Sequence, residues 1–238
     1  MLTNPADLGY DGTRYNLPPL SISQHTVHTE KHPESLFAVE ALTLQERQQA
    51  RRDSVQDRAR ACAEIVNADT EQWLVWCNLN SEAAALKSLI LDAVEISGSD
   101  KPEVKEQAAV DFAAGRIRVL ISKPLIFGMG LNFQRCHKMA FVGLSDSFEQ
   151  YYQSVRRCWR FGQEHPVDVR IITADTEGAV VENIQRKEKQ FEEMLSGMIA
   201  VTQNITKDNI RSTTRQTKAY EPQERMELPE WLKTVAAA

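Results

Sequence analysis

At 238 residues, with 42% hydrophobic and 26% charged side chains, the chain is long enough to bury a core and ordinary in composition for a globular protein. A net charge of −5 excludes a globally basic nucleic-acid binder, so any DNA contact has to be local. No apolar run approaches the ~20 residues of a membrane span, no signal-peptide pattern opens the chain, and Cys62, Cys77, Cys136 and Cys158 are scattered without a CxxC pair, as in a cytoplasmic protein with reduced thiols.

Residues 1–40 are rich in turn formers (Pro5, Gly9, Gly12, Pro18, Pro19, Pro33) and read as an extended connecting arm, with room for a short strand around Ile22–Val27. His25, His28 and His32 invite a metal reading, but no Cys or further His completes a ligand set nearby, so a polar loop is the expectation. Thr43-Leu44-Gln45-Glu46 is a capping box and predicts a helix from Thr43 to about Asn67. Leu44, Gln48, Arg51, Val55, Ala59, Cys62 and Val66 recur at helical spacing, leaving Arg47, Arg52, Arg58 and Arg60 outward against Glu46, Asp53 and Asp57.

From here strands and helices alternate, which predicts an α/β fold with a mainly parallel central sheet. Trp73–Cys77 is a fully buried strand candidate. The helix after it, about Glu82–Leu91, is expected to be capped by Asn80 or Ser81. Ala93–Ile96 is a strand, and Asp100 is placed to cap a helix that has Pro102 in its first turn, packs Val104, Ala108 and Phe112 inward and stops at Gly115. Strands follow at Arg118–Ile121, Met139–Gly143 and Val167–Ile172. A last helix is expected from Thr176-Glu177-Gly178 to about Leu195, and beyond Gly197 the polar composition reads as a flexible tail over 199–238. Its end, Met226–Leu232, has apolar character around Trp231. The domain itself is drawn over 41–198, with its core at about 70–178.

Two stretches carry chemistry. Gln153–Gln163 reads QSVRRCWRFGQ, expected as a helix starting after the Ser145-Asp146-Ser147 cap and ended by Gly162. Arg157 and Arg160 stand three apart and on a helix would share one face, two planar forks suited to phosphate oxygens. The window 151–170 is locally basic, with Arg156, Arg157, Arg160 and Arg170 against Glu164 and Asp168. Ahead of it, after an apolar run, comes Gly128-Met129-Gly130-Leu131-Asn132, a turn in which glycines let backbone amides approach a phosphate. A lone RRxxR is more often a solvated face paired with acids, and a lone GxGxN says little; the two in this order, with a strand between, say more.

This pair resembles motifs V and VI of superfamily 2 helicases and translocases, in the Swi/Snf-like branch, and the phrasing DSFEQYYQSVRRCWRFGQ is most similar to helicases of bacteriophages and prophages. The resemblance covers about Trp73–Glu177 and implies the second RecA-like lobe of such a motor, a three-layer α/β/α domain. It implies that Arg160 is the arginine finger, Arg157 its phosphate-binding partner and Gln153 a residue that organises the helix start near the nucleotide or couples it to bound DNA. It further implies that Gly128, Gly130 and Asn132 shape the ATP-side loop. Ser122 and Lys123, with Asn78 and Asn80, fall where the family contacts nucleic acid, although Pro124-Leu125-Ile126-Phe127 departs from the family's more polar pattern. ATP and Mg²⁺ are the implied cofactors, double-stranded DNA the implied polymer with RNA left open, and a first RecA-like lobe the implied partner, in the same longer chain or in trans.

The sequence contains no GxxxxGK[ST] and no DExH or DExD motif, so it supplies neither the phosphate lysine nor the magnesium carboxylate, and the chain alone is expected to be inactive as an ATPase. The rival reading is a non-catalytic RecA-like module that holds nucleic acid or a protein. A dinucleotide-binding metabolic domain fits poorly, since GxGxxG with a later acidic residue is absent.

Overall fold

The computed structural model describes residues 4–28, 49, 51–127 and 130–211. Six strands, β1 (Leu20–Val27), β2 (Trp73–Trp76), β3 (Ala93–Ile96), β4 (Val119–Ser122), β5 (Lys138–Val142) and β6 (Val167–Ala174), form one sheet. Its order is β1-β6-β5-β2-β4-β3 and every pairing is parallel. The parallel arrangement explains the apolar runs: β2, β4 and most of β5 are buried along their whole length because helices cover both faces.

On one face lie α1 (Val55–Asn67) and α2 (Asn80–Leu89), whose Ala59, Cys62, Val66 and Leu86 pack on Val75, Ile121 and Val142. On the other lie α3 (Pro102–Ala113), the short α4 (Pro124–Phe127), α5 (Phe148–Val155) and the start of α6 (Gly178–Arg211). There Phe112, Phe127, Tyr151 and Val181 pack on Leu74, Leu120, Phe141 and Val169. The expected three-layer α/β/α fold is present. The β4-to-β5 connection crosses β2, and strand carboxyl ends at such a crossing form the usual ligand edge of an open α/β sheet.

Several expectations are corrected. Within the arm, β1 runs from Leu20 and pairs with β6 over eight residues, so this part belongs to the sheet. The Thr43 cap lies outside the described residues. Arg58 does not face solvent; it is fully buried. Val104 is 49% exposed, and Ala108, Ala109 and Phe112 form the inner face of α3 instead. Asp100 accepts from the Ser97 amide at 2.7 Å and closes the turn ahead of α3, whose cap position is Lys101. The tail expected from 199 is helical to Arg211, because α6 continues from Gly178 as one 34-residue helix. The remainder of that tail, with Met226–Leu232, lies outside the described residues. Among the described residues no helix is long and apolar enough to cross a membrane.

Candidate functional site

The arginines are not on a helix face. Ser147 caps α5 by accepting from the Gln150 amide at 3.3 Å, but α5 ends at Val155, and Arg157–Gln163 is a run of tight turns. The reason lies in which groups take the backbone carbonyls. A continuing helix would direct the Arg157 and Cys158 carbonyls to amides four residues on. Here the Arg157 carbonyl accepts from the Phe133 amide at 2.9 Å, and the Cys158 carbonyl accepts from Gln163 Nε2 at 3.2 Å. Gln163 is 7% exposed, also donates to the Cys136 carbonyl at 2.9 Å, and so locks the turn to the β5 entrance. Gly162 sits at φ +91, which its missing Cβ permits.

This folding brings the two predicted stretches together. Arg157 donates through Nε to the Gln153 carbonyl at 3.0 Å and through Nη1 to the Leu131 carbonyl at 2.8 Å. Arg160 donates through Nη1 to Asn132 Oδ1. Gln153 thus serves Arg157 through its backbone, while its side chain donates to Glu149 at 3.1 Å. Gly130 is exposed at the start of the same loop, and Gly128 lies outside the described residues.

The electrostatics are one-sided. Among the described residues neither Arg157 nor Arg160 forms an ion pair with a carboxylate. Arg160 Nε is buried with no hydrogen-bond partner. Burial, and after it the adjacent Arg160 charge, lowers the pKa of Arg157 below the ordinary arginine value; a guanidinium stays protonated all the same. Two confined cations without a counter-charge can hold an anion.

The predicted nucleic-acid residues fall on the strand carboxyl edge. Lys123, following β4, donates to Asn80 Oδ1 at the start of α2. Asn78, following β2, donates through Nδ2 to the Gly143 carbonyl at 3.4 Å. Ser122 is corrected: the residue is 1% exposed and its hydroxyl donates to the Ile96 carbonyl at 3.1 Å, so it braces the β3–β4 edge. The cap of α2 is corrected too. Glu82, not Asn80 or Ser81, accepts from the amides of Asn78 and Leu79 at 2.7 and 2.9 Å.

Glu82 belongs to a feature the sequence reading missed. It is fully buried and accepts from Arg58 Nη1 at 2.8 Å, while Arg58 Nε lies 3.3 Å from Glu177. Arg51 stands 3.5 Å from Glu82 and 3.9 Å from Glu177. Glu177 in turn accepts from the Ala174 amide at 3.0 Å. This four-charge cluster ties α1, the β2–α2 loop and the end of β6 together beneath the carboxyl edge. A glutamate three residues into α2 was the one local signal for it. Among the described residues no group of three or more His, Cys, Asp or Glu is placed to hold a metal ion.

Residues 56–162 match the family model described as "Helicase conserved C-terminal domain". No curated protein matches the chain. Among solved structures, the C-terminal part of the Fun30 ATPase domain is 16% identical, with a TM-score of 0.47, covering 60% of this chain and 47% of that one. The C-terminal domain of the DEAD-box protein Dbp5 is 15% identical at a TM-score of 0.48, covering 55% of this chain and 78% of that one. A DEAD box protein of Methanococcus jannaschii is 20% identical at a TM-score of 0.48, covering 56% and 37%. This chain therefore spans about half the length of the first of these. The match to that family model runs from α1 through the arginine turn to Gly162 and covers less than half of the chain.

Proposed function

We propose that this chain is the second motor lobe of an ATP-dependent DNA helicase or translocase of superfamily 2, in its Swi/Snf-like branch, and that Arg160 is its arginine finger. The observation that carries the reading is the uncompensated arginine pair, with the partnerless buried Nε of Arg160. In phosphoryl transfer, charge develops on the γ-phosphate oxygens, and positioned cations lower that barrier. ATP, held with Mg²⁺ by a first lobe, supplies the transferable phosphoryl group. Arg157 is clamped by two backbone carbonyls and keeps its place. Arg160 is held by one side chain, Asn132, whose amide oxygen a phosphate oxygen can replace when the lobes close. Hydrolysis then depends on closure, and closure is the step along the polymer. Lys123, with Asn80 and Asn78 beside it, is the proposed contact to the backbone of double-stranded DNA.

The test combines this chain with a lobe carrying GK[ST] and DExH motifs. Arg160→Ala is expected to lower kcat about 10³–10⁵-fold while DNA binding stays within about twofold, and the isolated chain is expected to show no Mg²⁺-dependent turnover. If Arg160→Ala weakens DNA binding and leaves turnover intact, the arginines serve only the phosphate backbone and the binding-module reading replaces this one.

A further inference from the structure

We propose that the segment Tyr15–Pro18 is a positioning strap that sets Arg160 from outside the stretch that matches the family model, an inference resting on the assignment of Arg160 as the phosphate-facing arginine. The residues on either side of Arg160 are Trp159 and Phe161, and each is held by the arm. Trp159 Nε1 donates to the Pro18 carbonyl at 2.8 Å. The Phe161 ring stacks on Tyr15 with centroids 5.3 Å apart and planes 25° from parallel. Phe161 is 59% exposed and Tyr15 48%, so neither ring serves the core; their mutual contact fixes where the backbone on that side of Arg160 runs.

The opposite side of the turn is held by the loop of the first motif. Gln134 donates to the Phe161 carbonyl at 2.8 Å, and Asn132 accepts from Arg160. Arg160 therefore sits between two clamps, one built from the loop and one from the arm. The arm is itself anchored directly after the strap, where the Val167 amide donates to the Pro19 carbonyl at 2.9 Å and β1 begins. Arg156 adds rigidity by lying over the Trp159 ring at 5.0 Å and the Tyr152 ring at 5.5 Å. A pull on the arm reaches Arg160 through one hydrogen bond and one ring stack. Tyr15 and Phe161 are positioning residues and touch no phosphate.

The experiment measures ATP turnover in the assembled motor, this chain together with its GK[ST]-bearing lobe, for Tyr15→Ala, Phe161→Ala, the double variant, Tyr15→Phe and Arg160→Ala. Each single alanine variant is expected to lower kcat about five- to tenfold with KM for ATP unchanged within about twofold. The double variant should lose no more than either single, because both remove the same stack. Tyr15→Phe keeps the stack and should keep kcat, with a melting temperature matching the parent. Parental kcat in both alanine variants beside an inactive Arg160→Ala would overturn the strap and leave the arginine assignment standing. Additive losses in the double variant, or a loss carried by KM, would also overturn it. Unchanged turnover in Arg160→Ala would remove the strap and the assignment together.

Discussion

The chain holds two arginine pairs with opposite surroundings in the fold. Arg51 and Arg58 face Glu82 and Glu177, and with Arg58 and Glu82 fully buried the four charges cancel. Arg157 and Arg160 face carbonyl and amide oxygens and no described carboxylate. The first pair stabilises the arrangement of the strand edge, since Glu82 also holds the Asn78 and Leu79 amides. The second pair keeps a positive field open at a turn. Whether an arginine is structural or available for chemistry is decided here by the presence of a carboxylate, which spacing along the chain does not report.

The contrast can be broken most severely at Arg160. Arg160→Ala should raise the barrier of the assembled motor by about 4–7 kcal/mol, yet change the unfolding free energy of this chain by less than about 0.5 kcal/mol, as read by urea titration. Arg58→Ala should do the reverse. Leaving Glu82 and Glu177 buried with half their counter-charge should cost about 3–5 kcal/mol of stability by the same titration.

A subtler break is Gly143→Ala. Gly143 has φ +76, and an added Cβ would come within 2.4 Å of Arg58 Nη1 and 3.0 Å of Arg51 Nη2. A cost of about 1–3 kcal/mol is expected, without loss of phosphate-side function. The smallest effect belongs to the partly exposed Arg118–Asp92 pair, whose second contact, Nη2 to Oδ1, measures 2.8 Å. The Arg118 hydrogen bond holds the Asp92 carboxyl below its usual range. That contribution is present above the unfolded carboxylate pKa and is lost as pH falls through the folded value. With Asp92 about half exposed, Asp92→Asn should cost less than about 1 kcal/mol at pH 7 and nothing once acid has protonated the parent. Urea midpoints at the two pH values check it.

What was legible in the sequence follows from what is local. Strands buried on both faces appear as short apolar runs, so β2, β4 and β5 could be read nearly to the residue. The arginine turn could be recognised as a motif but not in shape, because its path is set by the Phe133 amide and the Gln163 side chain taking carbonyls a helix would have used. Glu82 looked like an ordinary first-turn acid, since its partner Arg58 is 24 residues away. The far half of α6 looked like tail because Thr202, Asn204 and Thr206 are poor helix formers.

The pairing of β1 with β6 has a consequence for how the molecule is made. Of the six strands, β1 is the first to be synthesised, and its partner is the last. Until β6 emerges, β1 has no template, and an eight-residue strand beginning at Leu20 waits in solution. Closing so long a loop makes this pairing kinetically late. Once formed, it moves the open edge of the sheet from β6 out to β1. A strand that contributes little to the core thus becomes the sheet's outer edge, and its sequence there is mostly polar: Ser21, Ser23, Gln24, His25 and Thr26.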